Sequence, residues 1–184
     1  VLVHSGTVYP SERDPRPFFA ALADLKARGR IGPQNLKVVL RATGCDEYLR
    51  GILRPLGITD IVRLEPPVGY GAALAEMLAA DGLLVLQAAN CNDQVPAKLY
   101  EYLRARRPIL ALTDAGGDTA RTLADAGIDT IAPLDSQALI AEQLIRFVEL
   151  VRDGRAPVAD TSCIAAASRR SRTAELARQL EAVS

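Results

Sequence analysis

The chain has 184 residues, room for one domain with a proper core. Hydrophobic residues make up 49 % and charged residues 24 %, as in an ordinary soluble globular protein. The 22 basic and 22 acidic side chains cancel, which argues against a general nucleic-acid-binding or membrane-coating role and leaves room for a local basic patch.

The three cysteines, Cys45, Cys91 and Cys163, are scattered and show no Cys-x-x-Cys spacing, so neither a disulfide scaffold nor a zinc site is indicated. A reducing compartment, the cytoplasm, is the expected home. No apolar run is long enough to span a bilayer. The sequence opens directly on an apolar strand, VLVHSG, and the expectation is a domain cut from a longer protein.

In chain order, Val1 to His4 reads as a buried strand that ends in Ser5-Gly6-Thr7. After a polar loop, Arg16 to Arg28 is a helix opened by Pro17 and ended by Gly29, with Phe18, Leu22 and Leu25 on one face. Leu36 to Ala42 is the second strand, Asp46 to Leu56 a short helix closed by Gly57, and Asp60 to Leu64 the third strand before Glu65-Pro66-Pro67. Tyr70 to Ala80 is an alanine-rich helix expected to turn Leu74, Met77 and Leu78 inward. Gly82 to Gln87 is the most apolar strand and the expected centre of the sheet. A polar loop, Ala88 to Pro96, leads into a helix over Ala97 to Arg106, whose Leu99, Tyr102 and Leu103 form a buried stripe. Strand Pro108 to Thr113, helix Asp118 to Ala126, the short strand Thr130 to Ala132 and a helix capped by Ser136 and running to Arg152 follow. Gly154 to Thr161 reads as a linker and Ser168 to Ala182 as a terminal helix, with Leu176, Leu180 and Val183 on one face. Arg169, Arg170 and Arg172 open that helix; a solvated helix start is the plain reading and contact with an anionic membrane the alternative.

Strands and helices alternate throughout, which predicts a doubly wound parallel α/β sheet, Rossmann-like, with about six strands. In such sheets ligands bind at the carboxyl ends of the strands, where the strand order reverses. The first strand is not followed by Gly-x-Gly-x-x-Gly, and no Gly-x4-Gly-Lys-Ser/Thr occurs, which counts against dinucleotide and P-loop chemistry. No Gly-x-Ser-x-Gly elbow is present, and the single histidine, His4, reads as a core or strand-end residue. Lys98 and Glu101, three apart, share one face of a helix whose start carries Pro96. Free N–H groups beside a lysine make an anion site, and a carboxylate one turn further in can accept hydroxyls; a surface helix with an ion pair is the plainer alternative.

Taken together, VHSGTVYPSERDPRPFFAAL, ADGLLVLQ and QVPAKLYEYLRARRPILAL with a following Gly-Gly-Asp resemble the C-terminal, donor-binding half of a GT-B glycosyltransferase of the group 1 (family 4) kind. The resemblance runs over nearly the whole chain and is most specific from Pro96 to Leu110. It implies residues 1–153 as a nucleotide-sugar-binding domain and residues 154–184 as a linker and helix that pack toward a missing N-terminal domain. It implies Glu101 as the ribose ligand and Asp93, at the first position of a Glu-x7-Glu motif, as the sugar contact. Aspartate stands there in place of the family's glutamate, and the loop before it differs from the usual Glu-Gly-Phe-Gly. The N–H groups of Ala97, Lys98 and Leu99, the Lys98 charge, the Gly6-Thr7 turn and Arg13 would face the diphosphate; Arg41 would face the same crevice or its rim, and Arg63, Leu64 and Glu65 would lie near the base.

The implied activity is transfer of sugar from a UDP- or GDP-sugar to a saccharide or lipid-linked acceptor held by the missing domain. No metal is required and no nucleic acid is involved. The cytoplasm, with peripheral contact at the inner membrane face, is the implied setting. The alternatives are a sugar-nucleotide epimerase or hydrolase half of the same fold, a non-catalytic relative, and a generic nucleotide-binding domain.

Overall fold

A computed structural model describes residues 1–166 and 168–182. Its apolar runs form six short strands: β1 (Leu2–Ser5), β2 (Val38–Arg41), β3 (Val62–Glu65), β4 (Gly82–Leu86), β5 (Ile109–Leu112) and β6 (Ile131–Ala132). All neighbouring pairs are parallel, in the order β3-β2-β1-β4-β5-β6. The order reverses between β1 and β4, and the carboxyl ends of the strands flanking such a reversal are where sheets of this kind form their ligand crevice. β4 is buried along its whole length and stands beside β1 at the middle of the sheet, as its apolar run predicts.

Alternate strand residues point to opposite faces, and both faces are covered. Leu2, Val38, Leu40, Leu84 and Leu110 meet α1 (Arg16–Ala27), α2 (Asp46–Leu53) and α6 (Gln137–Arg152) through Phe18, Leu22, Leu49, Leu144 and Phe147. Val3, Val39, Leu83, Val85 and Ile109 meet α3 (Tyr70–Ala79), α4 (Ala97–Ala105) and α5 (Asp118–Asp125) through Met77, Leu99, Tyr102, Leu103 and Leu123. Fully burying a side chain of this size contributes about 1.5–3 kcal/mol, so the two layers supply the bulk of the stability. The return of α6 to α1 places Phe147 directly over Gly82, where a Cβ would come within 2.6 Å of the ring.

Three side-chain or segment expectations are corrected. Leu78 is 50 % exposed: α3 turns Met77 inward, with Leu74 partly buried beside it, and Leu78 in the last turn stays in solvent. Helix α2 stops at Leu53 rather than Leu56, and a turn carries the chain to Gly57 at φ +64. The stretch read as a linker is docked: Ala159 is buried in the second core, and a further helix, α7 (Thr161–Ala166), packs Ile164 on it. The terminal helix, α8 (Arg169–Ala182), exposes Leu176 and Leu180, and Val183 lies outside the described residues.

The Ser136 cap is as expected, its hydroxyl accepting from the Leu139 N–H at 3.4 Å. Ser136→Ala is expected to lower stability in urea unfolding by about 0.5–1 kcal/mol, the lower end suiting this long, exposed bond. The sheet's two edges are short: β3 runs four residues into Pro66-Pro67, and β6 runs two residues into Pro133.

Candidate functional site

The crevice over β1 and β4 is walled by two loops that are stitched to each other. The Ala88 N–H donates to Glu12 O at 2.7 Å, and the Asn90 side-chain amide donates to Ser11 O at 3.1 Å. Behind them the buried Gln87 sets the shape of the loop after β4, donating to Cys91 O at 2.7 Å and Gln94 O at 2.9 Å while accepting from Thr113 at 3.3 Å. Asn92 donates to Asp114 at 3.0 Å and its backbone oxygen accepts from the Asp118 N–H at 2.8 Å, which ties the same loop to the start of α5.

Gly6, Thr7, Arg13 and Lys98 come together on this wall. Gly6 has φ +121, a conformation that L side chains rarely adopt, and a Cβ there would lie 2.9 Å from the Lys98 Nζ. The missing side chain is thus the space the ammonium occupies. Arg13 Nη1 donates to Thr7 O at 3.0 Å, and its guanidinium lies 5.5 Å from the centre of the Tyr9 ring. Beneath them the Tyr102 hydroxyl accepts from the Ser5 N–H at 3.1 Å, and burial pushes that phenol up to about 12.

Lys98 does not pair with Glu101. It points inward to His4 Nε2 at 3.3 Å. Burial, then the Arg13 charge, lowers its pKa to about 8, with Glu101 acting in the opposite sense. His4 is fully buried, and its Nδ1 sits 2.9 Å from Leu84 O. Burial, then the Lys98 charge, brings its pKa down to about 3, so the ring is neutral at physiological pH.

The start of α4 has no side-chain cap at Pro96. The N–H groups of Ala97 and Lys98 have no acceptor among the described residues, while that of Leu99 is given to Pro96 O at 2.9 Å. Of the three groups proposed to face an anion, two are free and one is spent. Glu101 is exposed and accepts a long 3.5 Å contact from the Tyr70 hydroxyl. Asp93 is exposed and makes no hydrogen bond or ion pair among the described residues. Arg41 is occupied: it forms a two-pronged ion pair with Glu76 and donates to Pro66 O at 2.6 Å, so it braces the rim. Arg63 is exposed on the edge strand, with Leu64 and Glu65 half-buried beside it.

Two residues of this wall escape sequence reasoning about sites. Gln87 could have been noticed as a polar end to an otherwise apolar strand. His4 is read correctly as a core residue, but its contact with Lys98, across 94 positions, has no local signal.

No protein-family profile and no curated protein matches this sequence. Solved structures do match. WaaG, a glycosyltransferase involved in lipopolysaccharide biosynthesis, superposes with a TM-score of 0.60 at 21 % identity, over 84 % of this chain and 41 % of its own. Sucrose-phosphate synthase from Thermosynechococcus elongatus superposes with a TM-score of 0.62 at 15 % identity, over 100 % of this chain and 46 % of its own. The fold is that of a GT-B C-terminal half. The isolated C-terminal domain of LpcC, a group 1 glycosyl transferase from Francisella tularensis, has the same fold, with a TM-score of 0.55 at 12 % identity over 84 % of this chain and 80 % of that one. The chain therefore spans less than half of the two larger proteins. In this fold the wall built by Gly6, Arg13 and Lys98 stands at the reversal of strand order.

Proposed function

We propose that the chain is the donor-binding half of a nucleotide-sugar-dependent glycosyltransferase, and that the crevice over β1 and β4 takes the diphosphate of a UDP- or GDP-sugar. One observation carries this reading. Arg13 and Lys98 lie close together with no carboxylate ion pair among the described residues, over a glycine and beside an uncapped helix start. The two glycosyltransferases of the same fold, WaaG and LpcC, support it.

In this reading the two cations and the free N–H groups of Ala97 and Lys98 meet the charge that gathers on the β-phosphate as the nucleotide departs. That stabilisation is electrostatic and preorganised, and it requires no metal. Glu101 takes the ribose hydroxyls and Asp93 faces the sugar. The saccharide or lipid-linked acceptor and any catalytic base belong to an N-terminal domain, so this half alone binds donor and transfers nothing. Polysaccharide assembly on the cytoplasmic side of a membrane is the implied setting.

Calorimetric titration with UDP and GDP tests the site. Arg13→Ala and Glu101→Ala are each expected to weaken binding about ten-fold, the scale of one hydrogen bond to a charged group. Parent-like affinity in both variants would sink the assignment. A non-catalytic nucleotide-binding relative is the second reading, favoured by the unengaged Asp93; donor transfer or hydrolysis by the full-length protein separates the two. An epimerase or hydrolase half finds less support, because His4 is sealed in the core.

A further inference from the structure

We infer that His4 is a positioning residue whose imidazole tethers the Lys98 ammonium over the ends of β1 and β4 without a neutralising carboxylate, leaving it aimed at an anionic ligand. The inference rests on the donor-site reading and adds to it the device that aims the cation. Its basis is the chain of contacts from Leu84 O through the ring to Lys98 Nζ, at 2.9 Å and 3.3 Å.

A carbonyl oxygen only accepts, so the contact with Leu84 requires the proton on Nδ1. The neutral ring then presents a lone pair at Nε2, and the ammonium donates to it. Complete burial of the ring fixes that orientation, since rotation would expose a bare Nε2 to an apolar layer. The β1–β4 ladder contains Leu2↔Gly82 and Val3↔Leu83, and the ring of His4 reaches Leu84 just beyond these pairs. The tether therefore sits at the point where the crevice begins.

The groups that face Lys98 are few. His4 comes from β1, Arg13 from the loop after β1, and Glu101 from the lysine's own helix; the Tyr102 hydroxyl lies close by on Ser5. Burial disfavours the ammonium and the Arg13 charge repels it. A carboxylate would hold it but would also neutralise it, which is the fate of Arg41 against Glu76. A neutral acceptor holds the cation without cancelling its charge, and Gly6 supplies the space in which it is held.

The test uses the 184-residue chain with inorganic pyrophosphate and UDP as probes, and compares the parent with His4→Phe and His4→Gln. Phenylalanine fills the volume without an acceptor. Glutamine can place its side-chain oxygen near the position of Nε2. His4→Phe is expected to weaken pyrophosphate about ten-fold, the cost of misplacing one charged donor, and His4→Gln to recover most of that loss. The side-chain titration of Lys98, followed by NMR without ligand, is expected to move from about 8 upward in His4→Phe as the ammonium swings into water, and to stay low in His4→Gln. His4→Phe with parental affinity and parental Lys98 titration overturns the tether. A parent chain that binds neither probe overturns the donor site instead, and the titration then decides the tether by itself.

Discussion

Lowering the pH from about 7.5 to about 5 is expected to cost the domain about 2 kcal/mol of stability through His4 alone. The ring's pKa is about 3 in the folded chain against 6.5 for the ordinary group. Between those values the unfolded chain binds a proton that the native state refuses. Stability therefore rises with pH across this window and is lost as pH falls below 6.5. The carboxyls of Asp60, Asp114 and Asp153 are held below their usual range by hydrogen bonds to neighbouring lysine, asparagine and arginine side chains, and that of Asp14, against the opposing pull of its burial, by hydrogen bonds from Arg16; they act in the same direction only under more acid conditions. Urea unfolding of the parent should show the slope already between about pH 6.5 and pH 5, where those carboxyls are still ionised. His4→Phe, with nothing to protonate, should start less stable and run flat over that interval. Parallel profiles for the two proteins would show that His4 is not the proton acceptor. Lys98 works at the other end of the scale. Its depressed pKa, about 8 against 10.5, lets stability rise as pH climbs from about 8 toward 10.5.

Gly6→Val is expected to produce the second large effect, with two separable consequences. The first is strain: φ +121 is rarely open to a residue with a Cβ, least of all a branched one, and the cost is about 1–3 kcal/mol in equilibrium unfolding. The second is displacement, because the new Cβ would occupy the position 2.9 Å from the Lys98 Nζ. Pyrophosphate affinity should fall at least ten-fold even at temperatures where the variant is fully folded. Gly29→Ala is the control. Gly29 has a left-handed φ of +66, but a Cβ there would meet no atom within 4 Å, and it lies at the end of α1, so the variant should lose stability and keep affinity. Equal loss of affinity in both variants would mean that destabilisation, rather than the crowding of Lys98, is responsible.

The elements are legible where one physical signal dominates. β4 announces itself by an unbroken apolar run and α4 by the Leu99-Tyr102-Leu103 stripe, while Ser136 marks a helix start by its cap and Pro17 by lacking an N–H that would go unpaired in a first turn. The rotation of α3 is not legible, because alanines surround Leu74, Met77 and Leu78 and the one carboxylate among them, Glu76, is turned to Arg41 rather than left in open solvent. The docked stretch through Ala159 is hidden because Gly154, Pro157 and Asp160 look like a solvated connector, and only the second core beside α4 gives Ala159 a place. At the candidate site, the types of residue are readable but their partners are not. Lys98 at the start of α4 and Arg41 at the end of β2 are both basic, yet Lys98 meets a buried imidazole and Arg41 a carboxylate. Those outcomes depend on contacts across 94 and 35 positions, which no local pattern encodes.

The two borders of the sheet bear on how this domain behaves in crowded solution. A strand that leaves its outer N–H and C=O groups unpaired is a template on which another chain can grow. β3 blunts that risk with an exposed Arg63, a partly exposed Glu65 and two prolines that cannot donate to a ladder. β6 is only two residues long before Pro133 breaks it off. An incoming strand would have to desolvate a guanidinium on one side and would find almost nothing to pair with on the other. Both borders of the six-stranded sheet thus work against strand-on-strand polymerisation.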